Sequence, residues 1–177
     1  ESNLIDSGNV RTDDDGIGVD SDPDGDALIV TEVEGRAGSV GVELSGVFGD
    51  LTLNSDGSYD YVMDNTNTDI QALAVGETLT ESFSYTISDN QGGSDTASLT
   101  LTINGTNDSP TVVSIPAQNN NDADVVNLDI GRYFSDVDTN DIHSYTAIGL
   151  PFGLVLDPNT GLVSGTIDPS ASVSGPY

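Results

Sequence analysis

On both sides of Gly92-Gly93 the chain alternates apolar and hydroxyl-bearing residues with a period of two, which confines it there to β-strands. In 95–103 (DTASLTLTI), Leu99, Leu101 and Ile103 fall on one face, and Ser98, Thr100 and Thr102 on the other. Residues 82–88 (SFSYTIS) alternate likewise, and Asn90-Gln91-Gly92-Gly93 supplies the turn of a hairpin between the two runs. Residues 28–34 (LIVTEVE) read as a strand. So do 50–53 (DLTL) and 58–63 (SYDYVM), a second hairpin across Asn54-Ser55-Asp56-Gly57, in which Asp-Gly marks the turn. No helical period persists; only 70–76 (IQALAVG) reads as a helical turn, bridging the two hairpins. The chain is expected to be all-β.

Seven or so short strands at this spacing make a β-sandwich of about 100 residues, closing near Ile103. The polar segment 105–110 (GTNDSP) follows, and then a second strand series: 111–115, 124–134, 144–148, 153–157 and 162–167. These are the first five strands of a second sandwich, and another is due where the chain stops at Tyr177. The expected organisation is therefore a sandwich over 1–106, a linker over 107–110 and a partial sandwich over 111–177. Glu1 is not a natural start, so the chain reads as part of a longer one.

Charge narrows the function. The sequence has 30 acidic residues, three Arg and no Lys, a formal net charge of -27. That excludes the basic stripe with which a protein displaces counterions from nucleic acid, and it disfavours anionic membranes. Of the acids, 24 are Asp and 6 are Glu; Asp favours turns and is a hard oxygen ligand, whereas an acidic helical tail is rich in Glu. There is no Cys, hence no disulfide and no thiol chemistry. No apolar run reaches the ~18–20 residues that span a bilayer, and no secretion signal opens the chain.

Asp20, Asp22, Asp24 and Asp26 fall within seven residues, and SDPDGD (21–26) recurs as SDVDTND (135–141), carrying Asp136, Asp138 and Asp141. Carboxylates this dense repel unless a cation collects them. Calcium suits because it accepts about 6–8 oxygens in flexible geometry, while zinc wants His or Cys and magnesium a strict octahedron. The alternative is a solvated acidic turn. An EF-hand is not expected, because its twelfth position is Thr31, with Glu32 one place late, and no helices flank it.

Residues 8–109 resemble a VCBS-type, cadherin-like repeat of bacterial RTX adhesins through GNV (8–10), DSDPDGDALIVTEVEG (20–35), GDLTLNSDGSYDYV (49–62) and the run 70–108. Residues 115–177 resemble a dystroglycan-type cadherin-like domain through IPAQ (115–118), FSDVDTND (134–141) and LPFGLVLDPNTGLVSGTI (150–167). The resemblance implies two tandem Ig/cadherin-like Greek-key β-sandwiches, the second lacking its last strands. It also implies calcium at the junction of consecutive domains. The linker would offer Asn107 and Asp108, with Ser109 standing where the family linker has a second Asn. The following loop would offer Asp136, Asp138 and Asp141, and the first domain's far end Glu77 or Glu81. By the same logic Asp20–Asp26, beside the hairpin carrying Asp89 and Asp95, would face a preceding repeat, and calcium there is expected to be weaker, water-completed or missing. With ~3–6 ions bound the net charge would fall to roughly -21 to -15, and affinities of ~10⁻⁴–10⁻³ M suit external calcium.

Other features have plainer readings. His143 is expected to be a polar strand-start residue. Asp56-Gly57, Asp157-Pro158 and Asp168-Pro169 are expected to be turns, not ligands or cleavage sites. The hydroxyl face of 96–102 is expected to be an exposed sandwich face rather than an ice or glycan surface, and Tyr59, Tyr61 and Tyr85 to be packing residues. No acid–base pair stands out, so a non-enzyme is expected. The whole reads as a calcium-rigidified extender of a bacterial cell-surface adhesin. Its partners would be neighbouring repeats of the same chain and a distal glycan, protein or surface target. The rivals are a ligand-binding or split scaffold module, and an accessory domain of a secreted polysaccharide-degrading enzyme.

Overall fold

The computed structural model describes residues 5–13 and 19–170, in two compact units, Glu1–Asn107 and Asp108–Tyr177. The strand expected after Tyr177 lies outside the described residues.

Among the described residues the first unit has the strands β1 (Ile5–Asn9), β2 (Ile29–Val33), β3 (Leu44–Ser45), β4 (Gly49–Leu53), β5 (Ser58–Met63), β6 (Thr78–Ser88) and β7 (Ser94–Asn104). A short helix, α1 (Thr68–Gln71), precedes β6. One antiparallel sheet has the order β1-β5-β4-β3, the other β2-β6-β7. Val30 and Val33 of β2, Leu51 and Leu53 of β4, Tyr61 of β5, Phe83 and Tyr85 of β6 and Leu101 of β7 form one buried cluster. Because both sheets feed it, they face each other across it as a sandwich. The meander β3-β4-β5 with β1 returning beside β5 is a Greek key. The neighbours match the immunoglobulin pattern, with β1, β5 and β4 in the places of strands B, E and D and β2, β6 and β7 in those of C, F and G.

Turn chemistry sets the registers. In the β4–β5 loop Asp56 Oδ1 accepts from Ser58 N at 3.0 Å and Ser58 Oγ at 2.6 Å, and Gly57 takes φ +86°, where a side chain is strained. In the β6–β7 loop Asp89 Oδ1 accepts from the N–H groups of Gln91, Gly92 and Gly93 at 2.7, 3.0 and 2.9 Å. The hairpin then pairs without a break from Ser88↔Ser94 to Thr78↔Asn104. Leu101 and Ile103 are buried while Ser98, Thr100 and Thr102 are exposed, as the alternation requires. The helical turn begins two residues earlier than expected, because Asn67 caps it by accepting from Asp69 N at 2.9 Å. Its Ile70 is fully buried against Leu73 and Ile103. Tyr61 and Tyr85 lie in the core and Tyr59 packs against it.

The second unit contains β8 (Thr111–Val112), β9 (Val125–Asp129), β10 (Phe134–Ser135), β11 (Leu154–Leu156) and β12 (Leu162–Thr166), in sheets ordered β10-β8 and β11-β12-β9. Val126, Val163 and Ile167 form its core, with Leu128, Leu154 and Leu156 against them. The expected strand over 124–134 is divided by a 3-10 turn, Gly131–Tyr133. The expected strand over 144–148 is absent, which corrects the sequence reading. There Ile148 is 99% exposed, and Tyr145 makes one backbone hydrogen bond, to Pro158 O at 2.9 Å, in place of a ladder. Tyr145 instead packs edge-on against Phe134, with ring centroids 5.4 Å apart. With no apolar partner on alternate positions, nothing repays extension of that segment.

Candidate metal centre

The loop after β10 is built by its own carboxylates. Asp136 Oδ1 accepts from Asp138 N at 3.2 Å, an Asx turn, and Asp141 N donates to Asp138 O at 3.4 Å. Asp138 Oδ2 accepts from the backbone N–H of Asp108 at 2.9 Å, which ties the start of the second unit to the loop. Asp138 is only 4% exposed and the Asp136 side chain 3%. Asp138 Oδ1, buried, has no hydrogen-bond partner. A buried carboxylate oxygen left in that state is costly, because folding removes its water and returns nothing.

His143 is the residue that sequence reasoning underrated. Its Nε2 is buried, has no hydrogen-bond partner, and stands 3.9 Å from Asp136 Oδ2. It precedes no strand, so the expected strand-start role is replaced by a place beside Asp136. The lone His two residues after the last Asp of the cluster was the available signal.

The structure thus brings together Asp108, Asp136, Asp138 and His143. Asp141 is exposed on the same loop, and Asn107 is the exposed last residue of the first unit. A partnerless buried oxygen among hard oxygen donors fits a calcium ion. As the side chains stand, no three acidic or imidazole groups among the described residues converge closely enough to hold one.

In the first unit the acidic loop folds around Asp22. Its Oδ1 accepts from Asp24 N at 2.8 Å and Asp26 N at 3.2 Å, and Gly25 turns the chain at φ +82°. Asp20 and Asp22 line a cleft of about 250 Å³ together with Asp89 and Asp95 of the β6–β7 hairpin. Asp24 and Asp26 are exposed outside that lining. Asp89 is held below the usual carboxylate range, chiefly by the Gln91 N–H, against a smaller opposing effect of burial.

Glu77 and Glu81 are occupied by the protein itself. Glu81, 8% exposed, accepts from Val47 N through Oε1, and from Phe48 N at 3.3 Å and the Tyr61 hydroxyl at 2.7 Å through Oε2. It is a strut between β6 and the β3–β4 turn. Gly46 must lack a side chain, because a Cβ there would collide with this carboxylate. Burial and then the bond to Glu81 push the Tyr61 hydroxyl far above its usual value. Glu77 Oε2 accepts from Ala74 N at 3.0 Å and its carbonyl from Gly105 N at 2.9 Å, bracing the approach to β6.

A share of the Asp surplus is turn chemistry. Asp56, Asp64 and Asp168 each accept from the backbone N–H and hydroxyl of the Ser or Thr two residues on, and the side-chain bond leads in lowering their pKa. Asp157 is lowered chiefly by the Asn159 N–H. The spacing Asp-x-Ser/Thr/Asn was legible in the sequence as a turn signature.

Residues 2–105 match the family model described as "Bacterial cadherin-like domain", and residues 109–177 match that described as "Putative Ig domain". No curated protein matches the chain.

Proposed function

The chain belongs to the family of bacterial cadherin-like domains, and on that premise we propose that it is a calcium-rigidified extender segment of a large bacterial surface adhesin, supporting attachment or biofilm formation. Cadherin-like and Ig-like domains are typically non-catalytic structural modules, and the pair fits an extracellular, adhesin-type module. Among the described residues no helix is long and apolar enough to cross a membrane. The observation that carries the calcium reading is Asp138: a carboxylate 4% exposed, with one oxygen on Asp108 N and the other without a partner, beside the buried Asp136.

Asp136 and Asp138 would supply the buried oxygens, with the half-buried Asp108 and the exposed Asp141 adding to them. Calcium neutralises carboxylates that otherwise repel, and a ligand set that includes linker residues removes backbone freedom from the linker. In a chain of net charge -27 this relieves self-repulsion as well. Asp20, Asp22, Asp89 and Asp95 would take a further, weaker ion at the cleft they line.

The test is a calcium titration of the whole chain followed by melting temperature and small-angle scattering. Calcium should raise the melting temperature and narrow the distribution of dimensions, and chelator should reverse both. Asp108→Asn combined with Asp136→Asn should remove the larger part of that response while the first unit stays folded. Identical melting and scattering in calcium and in chelator would sink the proposal.

A further inference from the structure

The strand β7 leaves a long edge open. In the sheet β2-β6-β7 it pairs with β6 alone, over eleven residues, and no described strand lies on its other side. Two hydrogen bonds flank that ladder, Asp89 N to Gly93 O and Gly105 N to Glu77 O. In an antiparallel ladder successive residues bond to opposite sides, so Asp95, Ala97, Leu99, Leu101 and Ile103 exchange bonds with β6. The N–H and C=O groups of Thr96, Ser98, Thr100 and Thr102 therefore point out of the sheet edge. Asp95 Oδ1 covers the first of these N–H groups at 2.8 Å. Sheet edges are ordinarily blunted by shortness, charge or proline. The edge strand β1 carries Asp6, β2 carries Glu32, and β3 has two residues. From Thr96 to Asn104 β7 has neither a charged residue nor a Pro, in a chain of 30 acids and three Arg.

We propose that β7 is a homotypic docking edge, at which a second copy of this chain adds its own β7 antiparallel and joins the two three-stranded sheets into one. Charge selects this occupant. A cationic partner would be drawn to the carboxylates elsewhere, whereas two polyanions approach closely only along an uncharged seam. The strand is also centred on Leu99, and a two-fold axis there matches it to itself along its whole length. Ser98 then meets the partner's Thr100, and Thr96 the partner's Thr102, all through outward-facing backbone groups. Leu99 lies against the partner's Leu99. Asp95 falls at the far ends, opposite the partner's Ile103, so the like charges stay apart. The hydroxyl columns of the two sheets become continuous, extending the cross-strand contacts already made by Ser82 with Thr100 at 2.8 Å and Thr86 with Thr96 at 3.2 Å. On the adhesin reading, antiparallel pairing makes the two chains run in opposite directions, as for molecules anchored on facing cells; the pairing itself does not rest on calcium.

The test is sedimentation velocity of the whole chain in chelator, over a wide range of concentration at low and high salt. A dimer should form, and high salt should lower its midpoint concentration at least tenfold by screening two charges of -27. Thr100→Pro removes an outward N–H and takes none from the β6 ladder, so it should raise the midpoint at least tenfold with the first unit still folded. The chain has no Cys, so an introduced one is a unique probe. Leu99→Cys should cross-link to itself on oxidation, because the axis sets the two Cα atoms about 4.5 Å apart in a non-hydrogen-bonded pair. Ala97→Cys, opposite the partner's Leu101, should not. In hydrogen exchange the Ser98, Thr100 and Thr102 amides should be fast in the dilute monomer and slow in the dimer. A chain that stays monomeric in high salt overturns the proposal, as does a dimer indifferent to Thr100→Pro or equal cross-linking of the two Cys variants. Slow exchange of those amides in the monomer means that the same chain covers the edge, and overturns it too. If Thr100→Pro unfolds the first unit, the Cys pair decides. Because every arm is run in chelator, failure here leaves the calcium reading standing.

Discussion

Asp138 and Glu81 are two buried carboxylates with opposite bookkeeping. Glu81 has three protein donors, and Glu81→Ala would leave Val47 N, Phe48 N and the Tyr61 hydroxyl without it. We expect a loss of about 2–4 kcal/mol, read as a shifted denaturation midpoint, with Glu81→Gln losing less. Asp138 has one donor and one partnerless oxygen. Asp138→Asn keeps an acceptor for Asp108 N and removes a buried charge, so in chelator it should be neutral or stabilising by about 1 kcal/mol. In calcium the same variant should fail to gain stability, and that reversal of rank between the two buffers is the check. Tyr61 gives a pH signature. Its folded-state pKa is raised, so the contribution is whole below the unfolded value near 10 and drains away as pH rises beyond it. Tyr61→Phe should blunt alkaline unfolding above about pH 10 relative to the parent. The sequence pointed to Asp138 by repetition of the acidic motif, but nothing in it separated Glu81 the strut from Glu81 the ligand. That distinction depends on which backbone N–H groups a distant turn brings to the same place.

At the scale of elements, the hairpins were legible because local chemistry decided them: Asp-Gly for β4–β5, and Asp89 with three following N–H groups for β6–β7. The first-unit strands over 50–53 and 58–63 end within one residue of expectation. The segment 144–148 was not legible, since its fate depends on whether Tyr145 finds Phe134 or a strand partner, a tertiary matter. The β11–β12 pair turns on a glycine contact the sequence conceals. Gly165 has φ +136°, and a Cβ on it would collide with the carbonyl of Gly153, itself at φ +92°. Gly165→Ala should therefore cost the second unit about 1–3 kcal/mol or more. The loss should appear as a lower melting step for that unit with the first unit's step unmoved.

At the scale of the whole molecule, charge sets two opposing pH effects. Asp56, Asp64, Asp89, Asp157 and Asp168 all have folded-state pKa values below the usual carboxylate range. Their contribution is fully present above about pH 4 and is lost as pH falls through the lowered values. A falling net negative charge meanwhile relieves the chain's self-repulsion. At low ionic strength the relief should dominate first, giving a stability maximum on the acid side of neutrality. Added salt should flatten that rise, and a maximum that ignores salt would contradict the account. Each unit has its own core, so unfolding should be read as two transitions, not one.

The eleven-residue pairing of β6 with β7 bears on tension. The chain leaves the first unit from the end of β7, so a pull along that strand loads the rungs of the ladder together, in shear, rather than peeling them one after another. A segment whose proposed task is to hold something at a distance gains from this: its exit lies at the end of one of its two longest strands, and a steady drag along that strand meets the whole seam at once.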